Sequence, residues 1–211
     1  MPEVAERNRD RIARRQVDKF AERRAQLAAA ALQTLAELGY ARTTTTEIAD
    51  RAGVSRGAQL HHYPTKAELV TAAMGHLFDE RELEFRKAIA QVPPGPDRAS
   101  RAIDLLWKIV SGRTFFAWLE LAVAARTDEE LRTAMNALST RTTENIQRVF
   151  RELFPPPAEP SPIYQLAPYF VFSVMHGIAL DQLVVRDEKR WPDLLDLLKK
   201  LSTLVVPGGT P

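Results

Sequence analysis

Residues 44–69 read "TTTEIADRAGVSRGAQLHHYPTKAEL", and this stretch decides the fold. Thr44 is followed three residues later by Glu47, which is the spacing of a capping box and predicts the start of a helix. Gly53 ends that helix within two turns, and Ser55 is a good N-cap for a second one. Two short helices joined by a tight glycine turn predict a helix-turn-helix, which places its second helix in the major groove of DNA.

The second helix of the motif ends before Pro64, because the residue before a proline disfavours the α-helical region. We expect its exposed side chains to include Arg56, Gln59 and His61. Arginine binds guanine and glutamine binds adenine through paired hydrogen bonds, so these are candidate base-reading residues. Lys66 lies at the start of the next helix, where a cation beside free N–H groups suits a phosphate.

The rest of the chain is predicted to be all-α, with about nine helices in total. Residues 20–39, "FAERRAQLAAAALQTLAELG", have the apolar spacing of an amphipathic helix, and Gly39 suits its end. Capping boxes at Thr65–Glu68 and Thr127–Glu130 predict the starts of two long helices. The proline-rich segment at residues 155–162 is the strongest linker signal in the chain.

The charge is uneven along the chain and gives a first indication of a partner. Net charge is +2 over 211 residues, but residues 1–66 carry +4 and the remainder carries −2. A basic N-terminal region favours a polyanion, although a solvated charged surface explains the same residues. We predict a flexible basic arm (1–18), a helix-turn-helix domain (19–66), a larger helical domain (67–206) and a tail (207–211). The arm's arginines are candidates for the DNA minor groove, and a disordered solubilising tail is the alternative.

Several classes of protein are disfavoured by composition. There are no cysteines, so disulfides, thiolate catalysis and Cys-type zinc sites are excluded and an intracellular, cytoplasmic protein is the simplest interpretation. The N-terminus has no apolar signal region, and no apolar run approaches the roughly 20 residues of a membrane span. The sequence has no Gly-rich phosphate loop, nucleophile elbow or metal cluster, so we expect no enzyme, no cofactor, no metal and no membrane partner.

The segment "LAELGY" followed by "TTTTEIADRAGVSRGAQLHHYPTKAEL" resembles the DNA-binding domain of the tetracycline-repressor (TetR) family over about residues 20–70. The resemblance implies that the third helix reads an operator, with the residues matching Arg56 and Gly57 touching bases. It also implies that the larger domain binds a small-molecule effector and forms a homodimer. The predicted DNA-binding residues are Thr44, Thr45, Ser55, Arg56, Gly57, Ala58, Gln59, Leu60, His61, His62 and Lys66. Of these, the resemblance implies mostly phosphate contacts for Thr44, Leu60, His61, His62 and Lys66.

One dipeptide departs from the family pattern. The family usually has Leu-Tyr where this chain has Gln59-Leu60. Either Leu60 takes over the core role, or Gln59 is tucked inward along its aliphatic stem. The loss of the tyrosine removes one expected phosphate contact, and the role of Gln59 in base recognition depends on which alternative holds.

Two adjacent histidines raise the question of a metal site. On a helix His61 and His62 lie about 100° apart and do not readily share one ion. A zinc pair on a helix is usually four residues apart with a third ligand nearby. We therefore favour contact with the DNA backbone by at least one histidine, with packing of His62 into the core as the alternative.

The last two helices carry wide apolar faces that need a cover. Two copies meeting as a four-helix bundle would cover them, and a two-fold dimer would present two recognition helices to a palindrome. Packing of both helices within one chain is the alternative. The residues of these faces are Tyr169, Phe170, Phe172 and Val174 on one helix and Leu194, Leu197, Leu198, Leu201, Leu204 and Val205 on the other.

The candidate ligand-binding residues form a mostly aromatic set in the larger domain. Plain core packing is the alternative for each of them. Glu120 is either a pocket carboxylate or the partner of a neighbouring arginine. The candidates are Trp107, Phe115, Phe116, Trp118, Met135 and His176. The sequence thus predicts a DNA-binding transcriptional regulator, a repressor that a small molecule releases from a palindromic operator. A constitutive DNA-binding protein without an effector is the competing hypothesis.

Overall fold

The described part of the chain is built from α-helices and turns. The computed structural model describes the backbone of residues 2–156, 161–185, 187 and 189–205, and within these the side chains of residues 19–202 apart from 113. These residues form nine helices and no strand, so the predicted all-α fold is confirmed. The helices are α1 (Pro2–Arg42), α2 (Thr45–Ala52), α3 (Arg56–His62), α4 (Lys66–Ile89), α5 (Arg98–Val110), α6 (Arg113–Ala124), α7 (Glu129–Leu153), α8 (Pro162–Asp181) and α9 (Arg190–Val205).

The chain divides into two compact units, and it passes between them within α4, α6 and α7. The first unit consists of Met1–His76 and Glu120–Met135, and the second of Leu77–Leu119 and Asn136–Pro211. The first unit therefore extends past the predicted boundary at residue 66 and takes in a second segment. The start of α4 belongs to the first unit, and Ala67 there is buried.

The core of the first unit comes from apolar residues at helical spacing. Leu27 and Leu35 of α1, Ile48 of α2 and Leu69 of α4 are almost completely buried. Burying one such side chain stabilises the fold by about 1.5–3 kcal/mol. These residues hold the two short helices of the motif, which are too short to be stable alone.

The first helix is longer than the sequence predicts. Its backbone is helical from Pro2, where the sequence predicts a flexible arm. The side chains of residues 1–18, including the five arginines of the arm, lie outside the described residues, so the minor-groove contact stays a prediction. Gly39 interrupts the helix with φ 70° and ψ 169°, so the predicted break at this glycine is confirmed.

Side-chain caps set where the helices begin. The predicted caps at Thr44, Ser55 and Thr65 are confirmed, because each side-chain oxygen accepts a backbone N–H three residues on, at 3.1–3.3 Å. The predicted cap at Thr127 is wrong. α7 is capped instead by Asp128, whose Oδ1 accepts the Leu131 N–H at 2.9 Å.

The second unit has two apolar clusters that join its helices. Phe85 and Ile89 of α4 pack with Ala102 of α5 and Val149 of α7. The other cluster joins α5 to α8 and α9, and its buried members are Ile103, Val110, Met175 and Leu198.

The sequence led us to expect no segment long and apolar enough to span a membrane, and α8 is an exception. Its 20 residues are long and apolar enough to cross one, by length and composition only. The core helix of a soluble protein meets the same criteria, so length and composition alone do not identify α8 as a membrane span. Met175 and Ile178 of α8 are buried within the second unit.

Candidate nucleic-acid interface

The turn between α2 and α3 sets the two helices of the motif against each other. Gly53 has φ 64° and ψ 28°, the left-handed conformation that glycine adopts without a steric penalty. The Val54 N–H donates to the carbonyl of Ala49 at 3.0 Å, and both side chains are buried beneath the turn. Ser55 then begins α3 by accepting the Ala58 N–H. The sequence pattern and the geometry agree on a helix-turn-helix.

One side of α3 is open to solvent, and we call it the outward face. It consists of Arg56, Gly57, Leu60 and His61, which are all exposed. Residues three and four apart on a helix share a side, so these four form one continuous surface. The exposure that we expected for Arg56 and His61 is confirmed. Contact of this surface with DNA stays a prediction.

Gln59 lies on the opposite side of α3, and its expected exposure is wrong. Its side chain is 0% exposed, and its Nε2 donates to the carbonyl of Tyr63 at 2.7 Å. The alternative in which Gln59 is tucked inward is therefore the correct one, while Leu60 remains 45% exposed. A buried side chain does not reach a base edge, so the prediction that Gln59 reads adenine is withdrawn. Gln59 instead satisfies the carbonyl that precedes Pro64.

The two histidines have different surroundings. His61 is exposed, whereas His62 is half-buried with its ring centroid 4.3 Å from that of Phe20 in α1. Burial is the main cause that lowers the pKa of His62, and the nearby His61 and Arg23 act in the same direction. A neutral, packed ring fits the core role that the sequence left open for His62. His61 remains the candidate for contact with DNA.

An arginine of α1 fixes the end of α3, and sequence patterns did not reveal it. Arg24 Nε donates to the hydroxyl of Tyr63 at 3.0 Å, and the Arg24 guanidinium carbon lies 5.3 Å from the Tyr63 ring centroid. Tyr63 is itself buried and caps α3. Any rotation of α3 therefore has to break a contact with α1.

Tyr40 and three residues that contact it form a second anchor, which we call the Tyr40 clasp. The Tyr40 hydroxyl donates to Asp128 Oδ2 at 2.8 Å, and the Tyr40 N–H donates to Glu120 Oε2 at 3.3 Å. Lys66 Nζ donates to the Tyr40 carbonyl at 2.7 Å and lies 3.8 Å from the centroid of its ring. The clasp thus joins the end of α1 and the start of α4 to Glu120 of α6 and to Asp128, which directly precedes α7.

Electrostatics in the clasp reflect this close packing. Burial, followed by the hydrogen bond to Asp128, raises the pKa of the Tyr40 hydroxyl. Burial also lowers the pKa of Lys66, against the attraction of Asp128. The Leu131 N–H and then the Tyr40 hydroxyl lower the pKa of Asp128, so this carboxylate is ionised at neutral pH. In the clasp the ionised Asp128 carboxylate therefore accepts a hydrogen bond from the neutral Tyr40 hydroxyl.

The clasp changes the interpretation of Lys66 and Glu120. The sequence assigns Lys66 to a DNA phosphate, but its ammonium already has a backbone acceptor and an aromatic ring within reach. This geometry favours a structural role for Lys66, although a phosphate contact by its other N–H donors stays a prediction. Glu120 accepts from the Tyr40 backbone, which neither of the alternatives for this residue anticipated. Gly39 leaves room for it, because a Cβ there would lie 3.1 Å from Glu120 Oε2.

The remaining predicted contacts lie at the helix starts of the motif. Thr44 and Ser55 are exposed, Thr45 and Ala58 are half-buried, and the two caps use their hydroxyl oxygens as acceptors. Hydroxyl hydrogens of such caps remain free to donate to a phosphate oxygen. Their role as phosphate ligands stays a prediction.

Comparison with known proteins identifies the family. The model of the bacterial regulatory proteins of the tetR family matches residues 27–73. A helix-turn-helix transcriptional regulator of Mycobacterium bovis is 31% identical over 192 residues, which cover 89% of this chain and 98% of that protein. The chain belongs to the TetR family. It is therefore a DNA-binding transcriptional regulator, as the sequence predicts.

Solved structures of TetR-family regulators share the fold. A regulator from Rhodococcus matches with a TM-score of 0.66 at 20% identity, over 88% of this chain and 99% of that one. FadR of Bacillus subtilis, solved in complex with stearoyl-CoA, matches with a TM-score of 0.59 at 16% identity, over 88% and 98% of the two chains. At these identities the likeness shows the fold alone.

The candidate ligand-binding residues of this TetR-family chain do not form one group. In the second unit, the His176 ring stacks on Trp118 with centroids 4.9 Å apart and lies 5.4 Å from Phe115. We call Phe115, Trp118 and His176 the aromatic cluster. Trp107 packs instead against the core of α5, α8 and α9. Phe116 is exposed, and Met135 is buried in the first unit.

Direct ring contact leaves no room for a ligand between Trp118 and His176 as they stand. Burial lowers the pKa of His176, so its ring is neutral at pH 7 and stacks without a buried charge. This geometry supports the alternative of plain core packing for the aromatic cluster. A ligand site there would require the rings to separate.

Proposed function

We propose that this TetR-family regulator is a dimeric repressor that a small-molecule effector releases from a palindromic operator. The observation that carries the proposal is the outward face of α3, which is exposed while the other side of the same helix is anchored in the core. Arg56 supplies a guanidinium that binds guanine bidentately in the major groove. A repressor needs only to occupy promoter DNA, so binding by this face is sufficient for the function.

Exposed apolar residues on α8 and α9 support the dimer. Ile163, Leu166 and Phe170 are spaced three and four apart on α8, and Leu194, Leu197 and Leu201 repeat the spacing on α9. All six are 36–63% exposed in the single chain. The same helices bury Met175 and Leu198 within the second unit, so they have both an internal and an uncovered side. Two copies of this surface would meet as a four-helix bundle.

Other residues of the predicted dimer faces have different roles. Tyr169 is exposed beside the α8 stripe, whereas Phe172 and Val174 pack against the core of α5, α8 and α9. The side chains of Leu204 and Val205 lie outside the described residues.

Release by an effector requires two conformations with different affinity for it. The Tyr40 clasp is where we expect the two conformations to differ in the first unit. A shift at the start of α7 would displace Asp128, and with it the end of α1 and the start of α4. Such a shift would reorient the outward face of α3 without unfolding the motif. The effector's chemistry is a matter for screening, and the fatty acyl-CoA bound by FadR is one class to include.

A constitutive DNA-binding regulator is the second candidate, and the closed aromatic cluster favours it. Trp118 provides the test in a Trp107→Phe, Trp191→Phe background, where it is the one remaining tryptophan, because its ring stacks on His176. An effector that parts these rings will change the emission in a saturable manner. A panel of acyl-CoAs and aromatic acids that changes neither the emission nor the affinity for the operator would support the second candidate.

The decisive experiment is the selection of random duplex DNA on the purified protein, followed by sequencing of the bound fraction. We expect a palindromic motif with half-sites about one helical turn apart. Light scattering on the complex should give two chains per duplex. A motif without symmetry would refute the dimeric mode, and enrichment of no motif would refute sequence-specific binding.

A further inference from the structure

Leu60 is an apolar residue in the middle of the outward face. It is 45% exposed, whereas the buried position next to it is filled by Gln59. Single exposed leucines are common on protein surfaces, so exposure alone has no functional meaning. The position of Leu60 is informative, because Arg56 and Gly57 lie four and three residues earlier on the same side of α3. Any DNA read by Arg56 must also face Leu60.

An aliphatic side chain excludes the phosphate contact that the family resemblance implies at this position. Phosphate oxygens are bound by side-chain or backbone N–H and O–H donors. Leucine has no such side-chain donor, and the Leu60 backbone N–H is within α3, where it is committed to the helix. Where α3 meets DNA, the Leu60 side chain therefore packs favourably only against an apolar part of it.

The major groove offers one prominent apolar group, the 5-methyl of thymine, and aliphatic side chains recognise it by contact. We propose that Leu60 is a specificity-determining residue that reads a thymine methyl group in each half-site. This inference rests on the proposed binding of an operator by α3.

Gly57 makes the approach possible. Apart from the adjacent residues and the backbone of α3 itself, no atom lies within 4 Å of the place where a Cβ of Gly57 would be, so the surface beside Leu60 is open. A base pair can therefore come close to the helix backbone here and place its methyl group against the leucine. Arg56, one turn away, would bind a guanine close to this thymine in the same half-site.

The test removes single methyl groups from the DNA. Operator duplexes obtained by selection are remade with deoxyuridine in place of each thymidine in turn, in both half-sites. We expect one position at which the wild-type protein loses about fourfold in affinity per half-site, the value for burying one methyl group. The Leu60→Ala variant should bind the thymine and uracil duplexes equally at that position.

Two controls make the outcome specific to Leu60. Leu83→Ala removes a similarly exposed leucine from α4, outside the motif, and should keep the full discrimination between thymine and uracil. Circular dichroism of Leu60→Ala should match the wild type, because alanine is a better helix former than leucine and the site is open.

Two results would overturn the proposal. One is a wild-type protein that tolerates uracil at every position, and the other is a Leu60→Ala variant that retains the discrimination. In both cases an operator exists, so the proposed function stands while the role of Leu60 fails. A selection that yields no operator would contradict the proposed function itself.

Discussion

Removal of one oxygen atom from the Tyr40 clasp tests whether it stabilises the first unit. The Tyr40→Phe variant keeps the buried ring and its contact with Lys66 but loses the hydroxyl that donates to Asp128 at 2.8 Å. Hydrogen bonds to charged groups contribute about 1.5–3 kcal/mol. Asp128 is half-buried and keeps its bond from the Leu131 N–H, so we expect a smaller loss, about 1–2 kcal/mol. For a chain of this size that lowers the melting temperature by roughly 2–8 °C.

The assay is urea unfolding at a fixed protein concentration, because dimerisation links stability to concentration. Asp128→Asn keeps the cap of α7, since asparagine and aspartate cap equally well, and it completes a double-mutant cycle with Tyr40→Phe. We expect a coupling energy of about 1 kcal/mol between the two changes. Tyr169→Phe removes the same atom from an exposed tyrosine and should cost less than about 0.5 kcal/mol. A cycle without coupling would show that the bond does not stabilise the protein.

Four further changes test the interface and the second unit. Gln59→Leu should leave the selected DNA motif unchanged because the side chain is buried, and a new base preference would return Gln59 to the interface. Gly57→Ala should raise the free energy of unfolding by up to about 1 kcal/mol yet weaken DNA binding, and unaltered affinity would show that DNA does not approach this backbone. Lys66→Met should lower stability, and the salt dependence of DNA binding tests its second role: loss of about 0.9 from the slope would identify a phosphate contact, and an unchanged slope would leave Lys66 a structural role alone. Burial lowers the pKa of His176 below 6.5, so the unfolded chain takes up its proton first and stability falls as pH decreases below about 6.5. His176→Phe should flatten this dependence in urea unfolding at pH 5.5, 6.5 and 7.5, leaving the part due to His62, and an identical slope would contradict the assignment.

Local patterns in the sequence were sufficient to predict the helices of the motif. Caps at Thr44 and Thr65 depend on residues three apart, and both appear in the structure. The start of α7 was misplaced by one residue, because Thr127 and Asp128 are both acceptable caps. The structure uses Asp128, whose second oxygen accepts the hydroxyl of Tyr40, 88 residues away in the chain. No local pattern contains that information.

The same limit applies to the candidate interface. The family pattern left two alternatives for Gln59, exposed or tucked inward, and only the packing of α3 decides that it is buried. The contact between Glu120 and Tyr40 spans 80 residues and follows from the kink at Gly39. Arg56 and His61 were predicted correctly, because their charge or polarity and the tight turn suffice to place them outside. Contacts between residues far apart in the chain could not be predicted from local sequence patterns.

The two sides of α3 do different work, so the DNA sequence that the protein prefers can change without a change in its fold. The inward side holds the helix through Gln59, His62 and the neighbouring Tyr63, whereas the outward side contributes little to stability. Substitutions at the four outward positions should therefore change the free energy of unfolding only slightly, so many different side chains are tolerated there. Duplicated copies of the gene can drift to new operators while keeping the same scaffold. The same separation makes those four positions the natural choice for a library of orthogonal regulators.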